Sequence, residues 1–414
     1  MGQSESSTSQ DGLNNQSDSI AKIDEQDTFV VSTHVYDHQL SKRCEHIDFD
    51  VEGWYHILEY QTFHTEFISI SPSTARAFVN YYQTRYNSKR VFNTNDLRSI
   101  QSIQHQLNQK IFNLRANQFQ SSGNFIRLSS RSPKDGNPLD SQKLVQLYHQ
   151  EFENLKLKYP NEYDSIEGKA NMQLIAYSNA QMKSLKVTNE VEALNLILSS
   201  ERVFIDLLEA LDCQDAHDNK TININNRNLY DWSTKIIIRE WNNLLDPSME
   251  FRCFVYDSNL TAISQYNHYC KFYPLQNDIT VQNIKNTIIQ YWQQKIEPLL
   301  DPFKEKYSKY IIDIGLIENS ISNEMECVVI ELNPFARGTG AGLFHWTTDI
   351  QQLIGQKDEI EIRVRSNYLT DIDHYVEFIL RENKLNIENS SSSDDEDHTP
   401  YFAFLDKMEK QFSS

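Results

Sequence analysis

Asp313, Glu331 and Asn333 are three oxygen-bearing side chains set in and beside two apolar runs, Tyr310–Leu316 and Glu326–Leu332, separated by a polar stretch through Ser320 and Asn323. The spacing predicts a β-hairpin. Alternate residues of a strand share a face, which groups Glu331 and Asn333 with Val329, and Asp313 with Ile311 and Gly315. The midpoint of positions 313 and 331 falls inside the polar stretch, so the two carboxylates are expected opposite each other. Opposed carboxylates among Ile and Val repel, and a hard divalent cation removes that conflict. Two carboxylates and an amide oxygen suit Mg²⁺, which completes its octahedron with water and substrate phosphates. A solvated acidic edge would satisfy the same pattern.

Opposite charge comes from two other runs. In Met249–Tyr256, Glu250 and Arg252 share a face with Phe254; an arginine there is costly unless it is paired or holds an anion, and Glu250 is one available partner. In Phe125–Gly136, a strand runs into a Ser-rich turn carrying Arg127, Arg131 and Lys134, a combination that can cradle phosphate without any G-x-x-x-x-G-K loop. The segment Arg337–Gly342 is glycine-rich, but Pro334 and the lack of dinucleotide spacing argue against a Rossmann turn; a flexible loop shaping the metal site is expected. The 12 His have no metal-ligand spacing, and neither G-x-S-x-G nor a Cys–His pairing supports hydrolase chemistry.

These residues need a scaffold. Strands are expected at Phe67–Ser71, Asn124–Leu128, Met172–Ser178 and Thr234–Arg239, and a hairpin at Met249–Gln265 turning at Asp257-Ser258-Asn259. Helices are expected from a Ser73 or Thr74 cap to Tyr86, over Asp96–Arg115, Ser141–Lys158 and Asn189–Ser199, and over Val281–Tyr307 with breaks near Pro298 and Pro302. The fold class is α+β with antiparallel sheets. Two lobes are expected, at residues 29–235 and 236–385, with the phosphate-contacting turn at 125–135.

The chain has 414 residues, 39% of them hydrophobic, enough for a substantial core, and a formal net charge of −19. Such a field repels a nucleic-acid backbone, so a polyanion must be held locally by placed cations and a metal. Five scattered Cys imply neither a disulfide framework nor a zinc site, but reduced thiols and a cytoplasmic setting. No apolar run is long enough to span a membrane, and a membrane role is not expected apart from Met1-Gly2-Gln3-Ser4-Glu5-Ser6, which fits the myristoylation pattern at Gly2. Residues 1–28 form a Ser/Gln-rich leader, residues 386–400 an acidic Ser-rich linker, and residues 401–414 a short aromatic tail.

Taken together, Glu250-Phe251-Arg252-Cys253-Phe254-Val255, Ala262-Ile263-Ser264-Gln265, Tyr310–Asp313, Glu331-Leu332-Asn333-Pro334-Phe335 and Leu343-Phe344-His345-Trp346 resemble the cell division cycle protein 123 family. Ser132-Pro133-Lys134-Asp135 resembles its Ala-Pro-(Lys/Arg)-Asp, and weaker matches at Cys44, Trp54-Tyr55 and Phe67–Pro72 extend the likeness over about residues 44–350. The resemblance implies an ATP-grasp-like fold with ATP and Mg²⁺ between two lobes. It implies metal ligands at Asp313, Glu331 and Asn333, phosphate contacts from Arg127, Lys134 and Arg252 with Asp135 beside them, and an adenine-side hinge at Ile238 and Arg239. It also implies an assembly chaperone for translation initiation factor two that binds the gamma subunit. An ATP-grasp carboxylate–amine ligase or phosphotransferase, and a diverged paralogue with another client, are the alternatives. Departures from the family pattern are Glu331 for Asp, Arg127 for Lys, Ser130 for Trp, a glycine-rich 338–342 loop, and an insertion near 139–170.

Overall fold

The runs rich in Ile and Val become the inner strands of two sheets. The computed structural model describes residues 47–86, 93–117, 123–218, 232–318 and 325–385. The leader with Gly2, Cys44, the turn through Ser320 and Asn323, the 386–400 linker and the 401–414 tail lie outside the described residues.

The first sheet comprises β1 (Thr65–Ser69), β2 (Asn124–Leu128), β3 (Lys186–Val187) and β4 (Lys235–Glu240), in the order β1-β4-β2-β3 and antiparallel throughout. The second comprises β5 (Glu250–Tyr256), β6 (Asn259–Gln265), β7 (Tyr310–Glu318), β8 (Met325–Pro334) and β9 (Glu361–Arg363). Its order is β8-β7-β5-β6-β9, with one parallel pair, β6–β9. Asp257 and Ser258 both take positive φ, the backbone twist that lets two residues close the β5–β6 hairpin. The change from one sheet to the other falls between Glu240 and Glu250, so the expected lobe boundary at 235/236 cuts the inner strand β4.

Helices α1 (Val51–Leu58), α2 (Pro72–Tyr86), α3 (Thr94–Asn117), α4 (Lys143–Lys158), α5 (Ile166–Ser184), α6 (Glu190–Ser199), α7 (Glu201–Asp218), α8 (Asp278–Tyr291) and α9 (Ile372–Glu382) surround the sheets. Ile68, Ile126, Leu128, Ile236 and Ile238 from one face of the first sheet pack on Phe78, Ile100, Leu107, Leu194 and Leu207 from α2, α3, α6 and α7. A larger core joins Phe251, Cys253, Ile312, Ile314 and Val329 of the second sheet to Trp54 of α1, Ala176 of α5, Ile284 and Ile288 of α8, and Val376 of α9. Each such aliphatic side chain contributes about 1.5–3 kcal/mol by leaving water. Ile237, on the other face of β4, enters this larger core and so ties the two sheets together.

Two local expectations are corrected. Met172–Ser178 is not a strand but the middle of α5, which starts where the Ser165 hydroxyl accepts from the Gly168 amide at 3.0 Å. The helix is buried on almost every side, against α4 and α9 among others, so its apolar run lacks the one-sided periodicity that marks a surface helix. The α2 cap is Ser71, whose hydroxyl accepts from the Thr74 amide at 3.1 Å, rather than Ser73 or Thr74. Within the segment expected as an insertion near 139–170, α4 packs on α5 and sends Tyr148 into the larger core.

Candidate functional site

Asp313 and Glu331 pair directly across β7 and β8. The register then shifts by one residue, so that Ile314 pairs with Val329 and Ile330 is the extra residue of a bulge. This corrects the expected grouping of Val329 with Glu331: the bulge turns Val329 to the core face, where it is fully buried with Ile312 and Ile314. Bulges re-aim side chains in this way. Asn333, beyond the shift, keeps the face of Glu331 and donates from Nδ2 to Asp313 Oδ2 at 3.2 Å.

Arg252 of β5 lies opposite Asp313 on its other flank. Its Nε and Nη2 donate to Asp313 Oδ1 and Oδ2, each at 2.9 Å, and its Nη1 donates to the Gly340 carbonyl at 2.7 Å. The partner of Arg252 is therefore Asp313 and not Glu250. The pair is buried, and a two-pronged fork of this kind is the strong form of an arginine–carboxylate contact. Burial would lower the Arg252 pKa, but the Asp313 charge and hydrogen bonds hold it well above its usual value.

Glu331 is held from the first sheet. Arg127 of β2 donates from Nη2 to Glu331 Oε1 at 3.1 Å and to the Ser130 carbonyl at 3.0 Å, and from Nε to the Leu128 carbonyl at 3.0 Å. Burial pushes the Glu331 carboxyl up, and Arg127, with Lys134 and Arg252 further away, more than reverses this, leaving it below its ordinary range. Glu331 keeps 23% of its side chain exposed against 4% for Arg127, so the carboxylate is the accessible member of the pair.

Lys134 donates to the Tyr266 hydroxyl at 2.7 Å, and the Tyr266 ring carries both Lys134 and Arg252, each at 5.0 Å from its centroid. Tyr266 and Arg202 are the site residues the sequence reasoning missed. Arg202, near the start of α7, donates from Nε to the Ser132 carbonyl at 3.3 Å; burial and the neighbouring Arg131 lower its pKa, while Asp135, Tyr266 and Glu331 act to raise it. No strand periodicity marks either residue. Tyr266 follows the Gln265 that ends β6, and only the family stretch just before it pointed there.

The remaining expected residues sit apart. Asp135 accepts from the Ser200 hydroxyl at 2.6 Å and the Arg202 amide at 3.1 Å, so its oxygens serve the start of α7. Arg131 turns away to Asp206 at 3.8 Å. Ile238 points into the helical core of the first sheet, and β4 is paired along both edges, which leaves little of Ile238 for a ligand. Arg239 faces the second sheet but its guanidinium is engaged by Ile330 and Thr62. The glycine-rich loop crosses over β6: the Leu343 amide donates to the Ser264 hydroxyl at 2.8 Å, while the Gly340 carbonyl receives Arg252.

A family model described as D123 matches residues 176–401, more than half of the 414-residue chain. The chain belongs to the D123 family. Two similar relatives are a translation initiation factor eIF2 assembly protein of Dictyostelium discoideum, 30% identical over 182 residues, and a putative CDC123-like protein of Acanthamoeba polyphaga mimivirus, 31% identical over 174 residues. These matches cover 43% and 41% of this chain and 41% and 45% of the relatives, so the chain spans less than half the length of the curated relatives it matches. The structure of Cdc123 from Schizosaccharomyces pombe is similar at 19% identity and a TM-score of 0.47, covering 81% of this chain and 100% of that one.

In this D123 chain, no group of three or more His, Cys, Asp or Glu among the described residues is placed to hold a metal ion. The donor set at hand is two carboxylates and an amide. Asp313 uses both oxygens on Arg252 and one of them again on Asn333, whereas Glu331 uses one oxygen on Arg127. A carboxylate offers about four lone-pair directions, so both retain capacity for a hard cation. Four cations, Arg127, Lys134, Arg202 and Arg252, stand around these two carboxylates, with Asp135, Asp206 and Glu250 close enough to act on the same cations. Cations and carboxylates interleaved in this way can hold a phosphate-bearing ligand together with its metal.

No helix among the described residues is long and apolar enough to cross a membrane.

Proposed function

We propose that this chain binds ATP with Mg²⁺ at the junction of its two sheets and serves as an assembly chaperone for translation initiation factor two, through that factor's gamma subunit. The observation that carries the nucleotide part is the double pairing Arg127–Glu331 and Arg252–Asp313, which brings cations and carboxylates from both sheets to one place. Asp313, Glu331 and Asn333 would hold the metal, and Arg127, Lys134 and Arg252 would face the phosphates. Bound Mg²⁺ would supply charge neutralisation between the carboxylates and the phosphate oxygens. The chain's own part is to orient: the Arg252 fork fixes Asp313, and Arg127 fixes Glu331 while leaving one of its oxygens open.

Membership of the D123 family and relatives named as eIF2 assembly proteins support the partner. Family resemblance supports the gamma subunit and an ATP-grasp-like ligand geometry. The test is a calorimetric titration of ATP with and without Mg²⁺, on wild type and Asp313→Asn, beside a pull-down with isolated gamma subunit. Magnesium-dependent binding lost in Asp313→Asn is expected. ATP binding indifferent to both magnesium and Asp313 would sink the site, and failure to retain the gamma subunit would sink the partner.

A further inference from the structure

Arg239 is a nearly fully buried cation at the end of β4, and among the described residues it makes no salt bridge. Its guanidinium lies between the rings of Phe63 and Trp54, with centroids at 5.1 and 6.0 Å, and its Nε has no hydrogen-bond partner. Burial and the nearby Arg127 pull its pKa down to about 9, against an opposing pull from Glu331. A charge placed at such a cost needs a task.

Its contacts define one. Nη1 donates to the Ile330 carbonyl at 2.5 Å, and Nη2 donates to the Thr62 hydroxyl. That hydroxyl in turn donates to the Val329 carbonyl at 2.6 Å, and Thr62 bridges to Val329 as an isolated strand pair. Val329 and Ile330 are the two residues at which the β7–β8 register shifts. The extra residue of a bulge falls out of the ladder and its polar groups need other partners. From outside the second sheet, Arg239 supplies one to the Ile330 carbonyl, while Thr62 takes the carbonyl of the neighbouring Val329, both immediately before Glu331.

We propose that Arg239 is a positioning residue, latching the first sheet to the Ile330 bulge and so holding Glu331 opposite Asp313. The planar fork is the requirement, because it reaches a carbonyl and a hydroxyl at once, which an ammonium on a single-file stem does not. The proposal concerns the geometry of β8; only its binding arm rests on the nucleotide reading.

The test compares wild type with Arg239→Met, Arg239→Lys and Thr62→Val. In ligand-free protein, hydrogen exchange of the 325–334 amides is expected to rise at least tenfold in both Arg239 variants and less in Thr62→Val, with β5 amides unchanged. In titrations, Arg239→Met is expected to lose about tenfold of the magnesium-dependent gain in ATP affinity. Unchanged exchange over 325–334, equal acceleration in β5, or full rescue by Arg239→Lys would each overturn the latch. Should wild type show no magnesium-dependent binding, the nucleotide reading falls, and the exchange measurement alone decides the latch. If Arg239→Met does not fold, Arg239→Lys and Thr62→Val carry the same comparison.

Discussion

Asp313 and Glu331 stand opposite each other across β7 and β8, yet each is neutralised by an arginine from a different sheet, Arg252 from the second and Arg127 from the first. The repulsion expected of facing carboxylates is thus relieved within the protein before any metal is considered. On the proposed reading, a metal would work beside two bound guanidinium groups, which an incoming triphosphate would take over.

In the Arg252–Asp313 pair the carboxylate is buried and the guanidinium is largely so. Removing one partner strands the other charge, at a cost of about 3–5 kcal/mol for a pair of this kind. Asp313→Ala should lower the urea midpoint accordingly, and Asp313→Leu combined with Arg252→Met should recover most of the loss. Additive losses in the double variant would show that the two side chains do not act as a pair.

Arg127 reaches two backbone carbonyls of its own turn as well as Glu331. Arg127→Lys keeps the charge but not the fork, and Arg127→Met keeps neither. ATP affinity with Mg²⁺ should fall by about threefold for lysine and at least tenfold for methionine, following the weight of charged hydrogen bonds. Equal affinities for wild type and Arg127→Met, measured by calorimetry, would remove Arg127 from the site.

The pairing of Asp313 with Glu331 was legible because strand alternation and the polar turn fix a register by counting alone. The bulge at Ile330 was not, since nothing in Val-Val-Ile-Glu marks which residue drops out of the ladder; hence Val329 was expected on the wrong face. The inner strands read clearly from their β-branched runs, whereas α5 did not, because burial on nearly all sides erases helical periodicity. Asp135 sat in a motif that suggested a ligand, and its use at the start of α7 depends on a helix about 65 residues later in sequence. Tyr266 and Arg202 enter the site through tertiary contacts that no local pattern carries.

Tyr266 joins Lys134 and Arg252 through its ring and hydroxyl. Tyr266→Phe keeps the ring and drops the hydrogen bond to Lys134, so ATP affinity should fall a few-fold; Tyr266→Ala, which also removes the cation–π support, should cost about tenfold or more. A phenylalanine variant as weak as the alanine would assign the whole effect to the hydroxyl.

Glu250 shares the face of Arg252 without pairing to it. Burial lifts its carboxyl to about 7, with Lys134 pulling down and Asp313 and Asp246 pushing up. The folded form therefore holds a proton that the unfolded chain releases near its ordinary value of 4.5. This contribution to stability is complete below that ordinary value and is lost as pH rises through the folded one. Glu250→Gln should remove it: unfolding free energies of variant and wild type, compared at pH 5 and pH 8, should diverge by about 1–3 kcal/mol, with the variant the more stable at the higher pH. Parallel pH profiles would show that Glu250 titrates as an ordinary surface carboxylate.

Gly342 is where the loop comes closest to the sheet. Its φ is +64°, and a Cβ there would run into the Ser264 hydroxyl, which is itself fixed by accepting from the Leu343 amide and donating to the Gln265 carbonyl. Gly342→Ala thus combines left-handed backbone strain with a steric conflict that a packed hydroxyl cannot easily relieve, for a loss of about 1–3 kcal/mol. The Gly340 carbonyl would move with the loop and release Arg252 Nη1, so ATP affinity should fall in the same variant. Gly338→Ala is the control, because its Cβ would meet nothing within 4 Å. Thermal unfolding of the two variants should differ by about 1–3 °C. Equal melting temperatures would mean that the loop adjusts freely and does not brace Arg252.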